Sequence, residues 1–126
     1  MEGSGRVELV SSGLDGFDVT WASRAEQPEG RTSPEELIAA AHSSCFSMAL
    51  SSALAKAGTP PERLETTAAV TLTPGTGITG IHITVQGTVP GIDAATFEEA
   101  AEGAKAGCPV SKALTGTTIT LTATLA

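Results

Sequence analysis

The sequence predicts an α+β fold in which antiparallel sheets surround one long, buried central helix. Two observations indicate this architecture. Alternating apolar and polar runs, rich in Thr, Val and Ile, flank Gly and Pro clusters of the kind that turn antiparallel strands. A long helical segment with clear start and stop signals separates two such strand pairs. The hydrophobic content is 40%, enough for a core, so we expect residues 1–126 to form a single domain.

The first strand pair lies near the N-terminus. Residues 5–10 and 17–22 alternate between apolar and polar side chains, and the turn-forming residues 11–16 separate them. Arg24 directly follows the second of these predicted strands.

The central helix has the best-marked start in the chain. Ser33 is its predicted N-cap, Pro34 occupies the first helical position, and Glu36 completes a capping box. Gly58 is the predicted stop. A helix over 34–57 is about 35 Å long, comparable to the diameter of a domain of this size, and must be a central element.

Apolar residues cover most of the circumference of this helix, with serines between them: Leu37, Ile38, Ala39, Ala40, Ala41, Phe46, Met48, Ala49, Leu50, Ala53 and Leu54. A helix that is apolar nearly all round is buried nearly all round. Because one short chain has little material for such cover, we expect an intimate homodimer.

The remaining predicted elements follow in order: strands at 65–73 and 78–89, a helix capped by Asp93 and stopped by Gly107, a short helix from Pro109 to Leu114 with Cys108 at its N-cap, and a last strand at 117–125.

Composition limits the possible partners and the compartment. The net charge of -7 argues against nucleic acid, whose binding requires clustered Lys and Arg. We find no stretch that approaches the apolar length of a membrane span, and residues 1–4 lack the pattern of a secretory signal. We therefore expect a cytosolic protein with no membrane partner, and in that compartment two cysteines indicate redox chemistry more than a structural disulfide.

Cys45, in the central helix, and Cys108 are the residues that suggest chemistry. The thiolate is the reactive form of cysteine, and burial alone would raise the pKa of Cys45, so catalysis needs a nearby positive charge. Arg24 is the candidate for that charge, and Glu35 is a carboxylate that could hold it in place. Since Glu35 lies ten residues before Cys45 on one helix, about 15 Å away, its service to that site would require a partner subunit packed antiparallel.

Three segments carry a resemblance to a known family: SPEELIAAAHSSCFSMAL at 33–50, VPGIDAATF at 89–97, and AKAGCPVSKAL at 104–114. They resemble the osmotically inducible protein C and organic hydroperoxide resistance family, and the last two are similar to its osmotically inducible branch. The likeness covers most of the chain from Phe17 onward. Against that family pattern the chain starts inside the first strand, so we expect a truncated or misassigned N-terminus.

The resemblance implies an intertwined homodimer that reduces hydrophobic organic hydroperoxides to alcohols. It makes Cys45 the peroxidatic thiol, which becomes a sulfenic acid, and Cys108 the resolving thiol, which closes a Cys45–Cys108 disulfide. Arg24 and Glu35 match the family's activating pair. A dithiol reductant, such as a lipoyl-type one, restores the thiols, and the resemblance implies no metal, flavin or haem.

Two other classes of function stay open from the residues. The chain could be a non-enzymatic dimeric module that senses redox state or binds a hydrophobic ligand in an apolar pocket. A zinc site would need Cys45, Cys108, His42 and His82 to converge, although their spacing does not favour it. We expect His42 to be a structural hydrogen bonder and His82 to lie at the surface.

Overall fold

The computed structural model describes residues 2–126, which form two compact units. The N-terminal unit ends at Leu37, and the C-terminal unit runs from Ile38 to Ala126. The expectation of a single domain therefore stays a prediction.

The N-terminal unit is built on an antiparallel strand pair, β1 (Ser4–Leu9) and β2 (Leu14–Thr20). A short helix, α1 (Trp21–Ala25), follows β2, so the predicted extension of this strand to residue 22 was wrong. The reason is a capping box, in which Thr20 Oγ1 accepts from the Ser23 backbone N–H and Ser23 Oγ accepts from the Thr20 N–H. Arg24 consequently lies on a helix instead of behind a strand.

The long helix α2 (Pro34–Lys56) begins where the sequence predicts and ends one residue earlier. Ser33 Oγ accepts from the Glu36 N–H at 3.1 Å, which is half of the predicted capping box. The other half does not form, because the Glu36 carboxylate accepts the Thr32 hydroxyl instead. Gly58 follows the helix with φ of 85°, a conformation that glycine adopts without strain.

The C-terminal unit contains a three-stranded sheet in the order β3 (Arg63–Thr73), β4 (Gly77–Thr88) and β5 (Thr118–Leu125). The first two strands pair antiparallel, as predicted, but β5 pairs parallel to β4, so the expectation of a purely antiparallel sheet was wrong. In sequence, helices α3 (Ala94–Gly107) and α4 (Pro109–Ala113) come between β4 and β5, and they provide the crossover connection that a parallel pair requires.

One face of this sheet carries the core. Ile81, Ile83 and Val85 on β4 are buried, while the residues between them are exposed. These side chains form one cluster with three residues of α2 and three of α3: Phe46, Leu50, Leu54, Phe97, Ala101 and Ala104. Gly87 on β4 leaves the room that the Phe97 ring fills, since a Cβ there would lie 2.5 Å from the ring.

Helix α2 buries one stripe of its surface, formed by residues four apart: His42, Phe46, Leu50 and Leu54. In the single chain one sheet covers one side of the helix, and Met48 is 73% exposed. Burial all round depends on the expected partner subunit and stays a prediction.

The expectation that no segment has the apolar length of a membrane span was also wrong. Over its most apolar 18 residues α2 has a mean hydropathy of 1.4, enough by length and composition to cross a membrane. The core helix of a water-soluble protein meets the same criterion, and the stripe of α2 packs in the core of this unit.

Candidate active site

The C-terminal unit brings Cys45 and Cys108 together. Cys45 lies on α2 and is half-buried, whereas Cys108 is fully buried at the junction of α3 and α4. Both are free thiols, and each shifts the pKa of the other. Two residues 63 positions apart in sequence are therefore brought close together.

Of the two thiols, Cys108 is the one whose pKa is lowered. Burial raises the pKa of Cys108, but the hydrogen bond from Cys45, the backbone N–H and hydroxyl of Ser111, and the Val110 N–H together lower it below the ordinary cysteine value. Cys108 is the N-cap residue of α4, as predicted, although its side chain makes no capping hydrogen bond of regular geometry. The amides of this turn therefore stabilise the thiolate as nearby dipoles.

The pKa of Cys45 is shifted in the opposite direction. The hydrogen bond to the Cys108 sulfur raises the pKa of Cys45, burial and the charge on Cys108 raise it further, and the Val110 backbone N–H offsets only part of this. Of the two thiols, Cys45 is therefore the harder to deprotonate. Within this unit, Cys45 lacks the stabilisation that a nucleophilic thiolate needs.

A second polar pair lies on the same two helices. His42 Nε2 and Ser111 Oγ are 2.7 Å apart, and both side chains are buried. Burial lowers the pKa of His42, so its imidazole is neutral. Sequence reasoning anticipated a hydrogen-bonding role for His42 but missed Ser111, whose spacing of three residues from Cys108 matches that of His42 from Cys45.

The N-terminal unit pairs Arg24 with Glu35. Arg24 Nε lies 3.0 and 3.2 Å from the two carboxylate oxygens, and Nη2 lies 2.8 Å from Oε1. Burial raises the pKa of Glu35, but the hydrogen bonds and charge of Arg24, together with the Glu35 backbone N–H, outweigh it, and the net pKa is lowered. The guanidinium also lies 5.7 Å from the centre of the Trp21 ring, a residue that sequence reasoning missed.

The predicted site residues thus form two pairs, Cys45 with Cys108 and Arg24 with Glu35, each inside its own unit. Glu35 binds the arginine of its own chain, so this ion pair needs no second subunit.

The fourth residue of the zinc hypothesis, His82, is exposed on β4 and bonds Thr120 and Thr122 through its ring nitrogens. Among residues 2–126 there is no group of three or more His, Cys, Asp or Glu side chains arranged to hold a metal ion.

Solved structures share this fold. An organic hydroperoxide resistance protein OsmC of Legionella pneumophila superposes with a TM-score of 0.71 at 22% identity, over 96% of this chain and 94% of that one. The organic hydroperoxide resistance protein OhrB of Bacillus subtilis superposes with a TM-score of 0.66 at 21% identity, over 98% and 96% of the two chains. The predicted α+β class is thereby confirmed.

Closer sequence relatives identify the class of enzyme. Peroxiredoxin OsmC of Escherichia coli K12 is 47% identical over 115 residues, which cover 89% of this chain and 80% of that protein, and the protein of the same name from Shigella flexneri matches equally well. With the paired thiols, this likeness defines a cysteine-based peroxidase, as predicted. A family model described as OsmC-like protein matches residues 27–123. The chain belongs to the OsmC family.

Proposed function

We propose that the protein reduces hydrophobic organic hydroperoxides to alcohols by a two-cysteine mechanism. The observation that carries this proposal is the pair of free thiols at Cys45 and Cys108, which lie close enough to shift each other's pKa. The organic substrate is supported by the names of the Legionella pneumophila and Bacillus subtilis proteins that share the fold.

In the first step, the Cys45 thiolate attacks the terminal oxygen of the hydroperoxide. An S–O bond forms, the O–O bond breaks, and the alkoxide leaves with a proton from water, so that Cys45 becomes a sulfenic acid. Because the pKa of Cys45 is raised, its thiol must transfer a proton to a neighbouring group or to solvent before this attack. A positive charge at Cys45 would favour that transfer.

Arg24 is the residue proposed to supply this charge in the assembled enzyme. Its guanidinium bonds both carboxylate oxygens of Glu35 and lies 5.7 Å from the centre of the Trp21 ring. A guanidinium fixed in one geometry stabilises developing negative charge on sulfur and on the leaving alkoxide without reorganising first. Glu35 and Trp21 are then positioning residues for Arg24.

In the second step, the Cys108 thiolate attacks the sulfenic sulfur of Cys45. An S–S bond forms, the S–O bond breaks, and the departing hydroxide takes a proton from solvent to become water. The lowered pKa of Cys108 suits this role, since the attacking group must be the thiolate. An external dithiol of the lipoyl type then reduces the disulfide by exchange and is itself oxidised to a disulfide.

The exposed side of α2 is the proposed homodimer surface. Apolar and small residues lie opposite the core stripe, and a groove of about 570 Å³ is lined by Met48 and Ala55 on this side of α2 and by Leu64 on β3. A second copy would bury this side, as apolar helix faces require. Sedimentation equilibrium of the wild type and of Met48→Glu tests the proposed dimer. The wild type should sediment as a dimer and Met48→Glu as a monomer, and a monomeric wild type would refute the proposal.

We also propose a reducing, cytosolic compartment, where the thiols persist between turnovers.

The test of the catalytic proposal is steady-state consumption of cumene hydroperoxide and hydrogen peroxide with dihydrolipoamide as the reductant. Wild type should prefer the organic peroxide, and Cys45→Ser should be inactive. Cys108→Ser should reduce one equivalent of hydroperoxide and stall at the sulfenic acid. Thr124→Ala, which deletes an exposed hydroxyl on β5, is the control.

The competing binding or sensing module makes a different prediction. Such a module would bind apolar ligands after Cys45→Ser and would show no sustained hydroperoxide loss in the wild type. Either wild-type activity that survives Cys45→Ser or the absence of turnover with any dithiol would overturn the proposed mechanism.

A further inference from the structure

The buried pair His42 and Ser111 is not used by the mechanism above, although it sits beside both thiols. His42 precedes Cys45 by three residues on α2, and Ser111 follows Cys108 by three residues at α4. Residues three apart share a helix face, so the two helices that present the thiols to each other also present this polar pair. His42 is 0% exposed and Ser111 is 4% exposed.

The direction of the hydrogen bond between His42 and Ser111 follows from the polar group that each direction would leave without a partner. His42 Nδ1 has no hydrogen-bond partner in the described chain. If the Ser111 hydroxyl donated to Nε2, the neutral ring would carry its proton on Nδ1 and bury an unsatisfied N–H donor, which is rare in proteins. If Nε2–H donates to Ser111 Oγ, Nδ1 is a bare acceptor and the Ser111 hydroxyl proton is free to point elsewhere.

The group available to that hydroxyl proton is the Cys108 sulfur. Ser111 is the third residue of α4, whose N-cap residue is Cys108, and at that position the backbone N–H and the side chain lie next to the N-cap side chain. Both groups also lower the pKa of Cys108. This placement directs a chain of donors from His42 Nε2–H to Ser111 Oγ, and from the Ser111 O–H toward the Cys108 sulfur.

We infer that His42 is a positioning residue for the second cysteine: it fixes the Ser111 hydroxyl toward Cys108 and so maintains the thiolate that closes the disulfide. The inference rests on the proposed function and adds two residues to its second step. The atoms of that step are unchanged, since Ser111 and His42 donate hydrogen bonds and lose no proton.

The burial of His42 argues against a role in packing alone. An imidazole with one unpartnered nitrogen in an apolar stripe costs stability relative to a hydrocarbon side chain of similar size. The neighbouring members of the stripe, Phe46, Leu50 and Leu54, are all hydrocarbon. The orientation of the Ser111 hydroxyl explains why His42, a polar residue, occupies this row.

The test compares His42→Leu, His42→Gln and Ser111→Ala. Glutamine keeps a side-chain amide donor near the Nε2 position, whereas leucine fills space without a donor. After one equivalent of cumene hydroperoxide, dimedone trapping and mass spectrometry follow the Cys45 sulfenic acid and the disulfide separately. We expect unchanged sulfenic acid formation, and disulfide closure slowed about 10- to 100-fold in His42→Leu and Ser111→Ala, the loss typical of one hydrogen bond to a charged group.

The same substitutions in a Cys45→Ser background report on Cys108 directly, because it is then the sole thiol. Thiolate absorbance at 240 nm should titrate at higher pH in His42→Leu and Ser111→Ala than in the parent, with His42→Gln close to the parent. If His42→Leu does not fold by circular dichroism, Ser111→Ala decides, because it removes one oxygen atom.

Wild-type closure rates in Ser111→Ala, or in folded His42→Leu, would overturn the inference. So would a His42→Gln variant as slow as His42→Leu, because it would show that the donor is irrelevant. Failure of the wild type to form either the sulfenic acid or the disulfide would instead refute the proposed function, so the two failures are distinguishable.

Discussion

Gly87 is the position where one added methyl group should test the packing of the C-terminal unit most sharply. A Cβ at Gly87 would lie 2.5, 2.8 and 2.9 Å from three atoms of the Phe97 ring, which is about 0.5–0.9 Å inside the 3.4 Å at which ordinary contact begins. The ring is fully buried and belongs to α3, so it has no solvent to move into. Gly87→Ala therefore requires α3 and β4 to separate locally.

The magnitude follows from two opposing effects. Overpacking of this kind costs roughly 1–3 kcal/mol, while replacing glycine by alanine recovers about 0.4–1 kcal/mol through the unfolded chain. The net loss is about 1–2 kcal/mol, which lowers the Tm by roughly 3–10 °C for a domain of this size. Gly80→Ala on the same strand is the matched control, since its Cβ would meet only Thr118 O, at 3.8 Å.

Urea and thermal unfolding at one fixed protein concentration measure both variants, because any dimerisation makes the Tm depend on concentration. We expect Gly80→Ala to be as stable as wild type or slightly more stable. Phe97→Leu introduced with Gly87→Ala should cost less than the sum of the two single changes, because the smaller side chain removes the clash. Equal stability of Gly87→Ala and Gly80→Ala would refute the packing described for this strand.

Three further predictions concern charge and caps. Glu35→Gln should lower kcat/KM for cumene hydroperoxide at least tenfold, since Arg24 loses a charged partner. Because the folded pKa of Glu35 is lowered, the wild type should also lose stability as the pH falls below about 4.3 and through that folded pKa. The variant should lose less stability over this pH range. Identical acid unfolding curves would contradict this. Trp21→Leu should reduce kcat/KM about 2- to 5-fold, as expected for losing one cation–π contact, with Trp21→Phe between it and wild type; equal rates for all three would exclude a positioning role. Asp93→Ala should lower the Tm by removing the side chain that accepts the Thr96 N–H at 2.8 Å, and Asp93→Asn should lower it less, a difference that scanning calorimetry would show or disprove.

The order and type of the long elements were predictable because local chemistry determines them. Pro34 and Ser33 mark the start of α2, Asp93 caps α3, and the Thr-rich alternation of β3 and β4 forms a hairpin around Pro74 and Gly75. Such signals lie within a few residues of the feature that they specify, so one sequence is enough to read them.

Long-range geometry was not predictable in the same way. The parallel pairing of β5 depends on how α3 crosses the sheet, and alternation along a strand is the same for either direction. The Cys45–Cys108 pair was expected through family resemblance, since residues 63 positions apart carry no local sign of contact. Sequence reasoning missed Ser111 and Trp21 because their roles depend on particular side-chain contacts, which only coordinates reveal.

The parallel pairing of β5 also imposes an order on folding. The β3–β4 hairpin closes over a turn of a few residues, so its contacts are local and form early. Strand β5 follows α3 and α4 in sequence, so its pairing with β4 closes a longer loop than the β3–β4 turn does. The entropy cost of closing that loop is therefore larger. Cys108 lies within that late segment, while Cys45 lies before the hairpin. On the ribosome, nearly the whole chain has to emerge before the two thiols can meet, so the dithiol is completed only as the fold itself is completed.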